Sequence, residues 1–228
     1  MQSTSTFEKR PIKRSTYSEA AKTVAAALGV AVGISGIDHG FFEILQGNTT
    51  TPGLFVQAIG PEKLMWVNGT EDAFTIIPNF LVTGVLSILV GVAMIIWSIR
   101  TVHAPNGSRF FLGLGLLLFL VGGGIGMLAF LFFGWWVAAR IHRPPALWTS
   151  FFPPGVNETL TRIRPALITA AFVFYAIALE IAITGYVPGT TDAGLCLAIC
   201  WGSLLLMMGL LGLALFGEPT GRDVEVVT

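Results

Sequence analysis

The sequence predicts an all-α protein, a polytopic helical bundle embedded in a membrane. Three observations carry this. Charged residues make up only 11% of the chain against 54% hydrophobic ones, whereas a soluble domain carries about 25% charged residues. Mean hydropathy is +0.76. The apolar runs are long and continuous rather than alternating, which excludes a membrane β-barrel. Such a surface is unsuited to an ordinary soluble enzyme or a disordered chain. The 13 Lys and Arg balance the 13 Asp and Glu, so no net field recruits nucleic acid. The lipid bilayer is the partner that composition implies.

About 20 apolar residues cross the hydrocarbon layer as a helix. Five stretches meet that length, at about 20–46, 73–99, 110–139, 165–187 and 193–217. They form one transmembrane domain over 18–217, between a polar N-terminal tail, 1–17, and a polar C-terminal tail, 218–228. In the first stretch, Val24 to Ile34 also has the look of a signal-peptide core, but the helical pattern runs on through Leu45. Pro78 is placed to kink the second span near its start. The third stretch is the ambiguous one. Gly122, Gly123, Gly124 and Gly126 weaken its middle, and a re-entrant hairpin over 110–139 is the alternative to a fifth span.

Charge bears on the same choice. Lys9, Arg10, Lys13, Arg14 and Lys22 precede the first span, which argues for a cytoplasmic N-terminus in a cell membrane. Five spans leave the positive charges nearly evenly divided, 7 inside and 6 outside; a hairpin makes the division 12 and 1. Five spans are nevertheless expected, because a lipid-exposed hairpin tip would strand its backbone polar groups.

The first span carries the candidate chemistry. Asp38 follows Lys22 after only 15 uncharged residues, about 22 Å of helix, too short for the bilayer core. Asp38 and His39 therefore enter the last turns of the membrane and must face protein or water. Gly29, Gly33, Gly36 and Gly40 form one stripe suited to close helix approach. Glu43 extends that stripe, His39 and Gln46 lie beside it, and Asp38 points away. With five spans, Asn79 and Arg140 arrive at the same membrane face. The expected ligand-binding set is Asp38, His39, Glu43, Asn79 and Arg140, with Asp38 at its edge. It reads either as a site for a small solute, ion or proton, or as a polar latch fixing helix register. Glu180 is a second intramembrane acid, read as a proton or cation relay or as a neutral structural group.

No further chemistry is legible. No metal set, catalytic nucleophile or nucleotide-binding pattern appears, so no cofactor, metal or catalytic residue is assigned. Cys196 and Cys200 read as small apolar packing groups. Trp66, Trp97, Trp135, Trp136 and Trp148 fit an aromatic belt. The glycine stripes, including Gly84, Ser87 and Gly91, offer a face to a second copy or to a membrane-protein partner. An accessory subunit is therefore the alternative function, and a lipid- or quinone-acting enzyme a third.

The strings Gly36-Ile37-Asp38-His39-Gly40-Phe41-Phe42-Glu43-Ile44-Leu45-Gln46-Gly47, Thr75-Ile76-Ile77-Pro78-Asn79-Phe80-Leu81 and Gly122-Gly123-Gly124-Ile125-Gly126 resemble a group of small, uncharacterised multi-pass membrane proteins of bacteria and archaea. The resemblance spans about Val24 to Phe216. It implies a prokaryotic cytoplasmic membrane and transfers no activity or ligand.

Overall fold

The computed structural model describes residues 18–57, 66–69, 71–143 and 152–216. The two tails, Lys63, Pro144, Pro145 and Trp148 lie outside them. The described chain is helical, with four helices long and apolar enough to cross a membrane. These are α1 (Glu19–Leu45), α2 (Phe80–Thr101), α5 (Pro154–Thr184) and α6 (Ala193–Ala214). Their 27, 22, 31 and 22 residues give about 40, 33, 46 and 33 Å of helix. Caps set their starts. Ser18 accepts from the Ala21 N–H, Asn79 from Val82 and Asp192 from Leu195, each satisfying an amide that the first turn leaves unpaired. Pro78 lies just ahead of the Asn79 cap, so it precedes α2 and does not kink it.

The continuous third span does not form. Residues 110–139 fold instead as α3 (Gly107–Leu120), strand β3 (Val121–Gly124) and α4 (Met127–Ala138). The two short helices run back along each other. A Cβ on Gly115 would strike Leu131, and one on Gly134 would come within 2.6 Å of Phe111, pairings that only an antiparallel hairpin makes. The cost that argued against a hairpin tip is removed by pairing. The first loop supplies β1 (Phe55–Gln57) and β2 (Asp72–Thr75), and the three strands form one antiparallel sheet in the order β1-β2-β3. Ala73 faces Gly124, and Phe74 faces Gly123, before a register shift sets Thr75 against Val121. Outside the ladder, Ile76 N donates to Leu120 O and Ile125 N to Asp72 O. Thr83 on α2 donates to Val121 O at 2.7 Å, and its hydroxyl meets that of Thr75 at 2.6 Å. Since Thr83 has given its one proton to Val121, Thr75 donates to Thr83, while itself accepting from Ile77 N. Val121 to Gly124 are thus buried and tied to β2 and α2 by these backbone and hydroxyl bonds, which is what irregular chain at membrane depth requires.

α1 is the central helix. Its glycine stripe meets that of α2 at backbone distance. A Cβ on Gly33 would lie 2.6 Å from Gly91 O, and one on Gly40 would lie 2.6 Å from Gly84 O. Ser87 donates to Gly36 O at 2.8 Å between them. The stripes that looked available to a partner therefore face each other inside this chain. α4 covers another side of α1, with Leu28, Phe111 and Leu131 in a common core. α5 and α6 pack mainly on each other, reaching α1 at Tyr175, whose hydroxyl donates to Ala31 O at 3.0 Å.

Candidate functional site

β3 lies against the last turns of α1, and its register explains the site. Four residues of helix advance about 6 Å, and two of strand about 6.6 Å. His39 and Glu43 therefore match Gly124 and Gly122 on an antiparallel strand. The contacts follow: a Cβ on Gly124 would strike His39 Nε2, and one on Gly122 would sit 2.5 Å from Glu43 Oε2. Glycine makes room for both polar side chains. At Gly122, φ of +115° is also a conformation that other residues rarely adopt.

Glu71, in the first loop, completes the cluster. Its Oε2 lies 3.8 Å from His39 Nε2, and its Oε1 accepts from Gly126 N. The Glu71 side chain keeps 42% accessibility through the cavity that it lines. Surrounding protein still removes much of its water, which by itself raises a carboxyl pKa. The His39 hydrogen bond and charge, with the Gly126 N–H, outweigh this and hold Glu71 below the usual carboxylate range. Asp38 is half-buried on the adjoining flank and interacts electrostatically with both His39 and Glu71.

Glu43 differs from its neighbours. Its side chain is 0% exposed, and neither carboxyl oxygen has a hydrogen-bond partner among the described residues. His39 Nδ1 is likewise unpartnered. An ionised carboxylate without partners at such a place costs several kcal/mol, roughly. The position therefore calls for a proton, a cation or a donor-bearing ligand.

Of the expected set, His39, Glu43 and, at the edge, Asp38 come together. Asn79 reaches the same end of the bundle, but its amide is committed to capping α2 and to Asn48, 2.7 Å away. Arg140 is at the opposite end. Because the hairpin turns back, α4 finishes beside the start of α1, where Ser18 N donates to Ile141 O at 2.8 Å. There Arg140 bonds Trp136 O and lies 3.7 Å over the Trp136 ring. Ser18 and Glu43 are separated by about 37 Å of helix, so Arg140 cannot balance the carboxylates. Glu180 is exposed in the closing turns of α5, not deep within the bundle. Cys196 and Cys200 are free and buried, and Cys200 Sγ contacts Ala178 O. No group of three or more His, Cys, Asp or Glu side chains is arranged to hold a metal ion among the described residues.

Glu71 escaped the sequence reading because it sits outside every apolar stretch. The signal that could have found it was the glycine run. A buried tip of four such residues needs a strand beside it, and the nearest loop residues with strand character follow Glu71 directly.

Beside this cluster, a cavity of about 560 Å³ lies between the α5–α6 pair and the rest of the bundle, with Glu71 in its wall. No protein-family model matches the chain, and no curated protein or solved structure is significantly similar to it.

Proposed function

We propose that this is an integral membrane protein that binds a proton or small cation at Glu43, in a cleft shared with His39 and Glu71. One observation carries the reading: Glu43 is wholly buried, and neither of its carboxyl oxygens is hydrogen-bonded among the described residues. A structural latch would engage its carboxyl, as His39 and Glu71 engage each other and Gly126. The glycine strand leaves the space and supplies no side chain to fill it. Burial disfavours the ionised carboxylate, and a cation or proton at Glu43 relieves that desolvation.

The topology supports an orientation. With four spans and a hairpin, 12 of the 13 Lys and Arg residues fall on one side, and Lys63 alone on the other. By the positive-inside rule both termini face the cytoplasm of a cell membrane, and the end of the bundle that holds Glu43 faces outward.

The test compares wild type with Glu43→Gln in mild detergent by infrared difference spectroscopy and by native mass spectrometry with metal analysis. The expected result is a carboxylic C=O band, sensitive to deuteration, or one equivalent of a bound cation, lost in the variant while the fold persists. A variant that unfolds, with no such band or ion in the wild type, would overturn the proposal in favour of a register-fixing role.

A further inference from the structure

The cavity beside Glu71 has a chemistry of its own. Phe130, Leu179, Leu204 and Met208 wall it, and its polar end carries Asn68, Glu71 and Asp72. Two aspects decide what it accepts. First, both ionisable side chains at that end are acids, and no Lys, Arg or His lines the cavity among the described residues. A phosphate or carboxylate headgroup would meet like charge there. An ammonium would meet two carboxylates, in a cavity that Trp66 and Tyr175 also line, aromatic rings of the kind that attracts cations. Second, the rim lies in the middle of α6. Trp201 and Leu205, at 60% and 71% exposure, are midway along a 22-residue apolar helix. This part of the wall therefore lies well inside the ends of α6, at the level of lipid chains.

We propose that this cavity binds a lipophilic cation, with an ammonium head against Glu71 and Asp72 and an alkyl tail along Leu204 and Met208 toward the bilayer. Such a compound partitions into the membrane first and enters from the side. Its head then arrives within reach of the group that bonds Gly126 N and pairs with His39. The site shares Glu71 with the cleft of Glu43 but does not depend on Glu43.

The test uses decyltrimethylammonium, with decanol and decanoate as neutral and anionic probes of the same chain length, titrated against the full chain in lipid nanodiscs. The cation is expected to bind at least about tenfold more tightly than decanol, with decanoate weakest. Glu71→Gln combined with Asp72→Asn should bring the cation down to the level of decanol and leave decanol unchanged. Ala129→Trp, at an exposed position on the cavity wall, should remove binding of both, and Leu205→Trp on the rim provides a second block. Unfolding midpoints confirm that each variant is folded. Glu43→Gln should leave all three affinities unchanged, so failure of the proton site and failure of this one are separately visible. Equal binding of all three probes would overturn the proposal in favour of a crevice for lipid tails. So would cation binding that survives both blocking variants.

Discussion

The two seams of this bundle are built on opposite principles. Between α1 and α2, glycines on both helices bring backbone to backbone, and a single added methyl has nowhere to go. Between the α5–α6 pair and the rest, contact is sparse and a cavity remains. α6 also carries glycines, yet Gly202, Gly209 and Gly212 have nothing within 4 Å of where a Cβ would be. The same residue type therefore means close packing in one helix and open surface in another. The lesson concerns rigidity. Lipid tails are as apolar as leucine, so membrane helices associate through close packing and hydrogen bonds. The α1–α2 seam has both, and it holds His39 and Glu43 at a fixed register against β3. Among the described residues the other seam has few polar ties, the Tyr175 hydroxyl to Ala31 O and Trp66 N to Ile183 O, which suits a wall that admits a ligand.

This contrast can be broken by substitution. The largest effect is expected from Gly33→Leu, which drives a side chain into Gly91 O and Ile95. Overpacking of this kind costs typically about 1–3 kcal/mol and occasionally more, and thermal unfolding in detergent would show a large loss or failure to fold. Gly122→Ala comes next, combining a positive φ with the 2.5 Å approach to Glu43. A loss of about 1–3 kcal/mol is expected, and Glu43→Ala in the same chain should recover part of it. A double-mutant cycle showing no coupling would separate β3 from Glu43. Tyr175→Phe should cost about 0.5–1.5 kcal/mol, because Ala31 O keeps its helical partner.

Acidification tests the tie at Glu71. A carboxyl whose pKa is lowered on folding contributes stability that is present above its unfolded value, near 4.5. That contribution is lost as pH falls through the lower folded value. Wild type should therefore lose stability below about pH 4.5 more steeply than Glu71→Gln, read from unfolding midpoints across a pH series. The smallest effect is expected from Gly202→Leu, within about 0.5 kcal/mol of wild type. A large loss there would mean that α6 packs as tightly as α1.

Much of this was legible in the residues. Apolar length alone placed α1 and α6 to within a few residues, whereas α2 starts at Phe80 and not near residue 73, because Asp72–Thr75 pairs as β2 and Asn79 caps the helix. His39 and Glu43 were legible as neighbours because i, i+4 spacing fixes them on one side of a helix whatever surrounds it. Arg140 was misplaced for a specific reason. Its level in the membrane depends on how many times the chain has crossed before it, and a helix of 30 residues and a hairpin of the same length bring it to opposite faces. The charge asymmetry favoured the hairpin. The desolvation of its tip opposed it, and that objection could not be lifted without knowing that β2 would arrive to bond the tip. Glu180 lies on the outer face of α5, exposed four residues before the helix ends, a facing that apolar length alone does not give.

By itself the sequence determined an apolar composition suited to a membrane, the four helices long enough to cross one, and the neighbouring places of His39 and Glu43 on α1, because these depend on composition, length and local periodicity. Only the tertiary structure decided that the glycine run pairs with the first loop, that Glu71 joins His39, and that Glu43 is left with an unpartnered carboxyl. Those outcomes turn on contacts between residues far apart in the chain, where hydrogen bonding across strands, and not helix propensity, sets the lowest free energy.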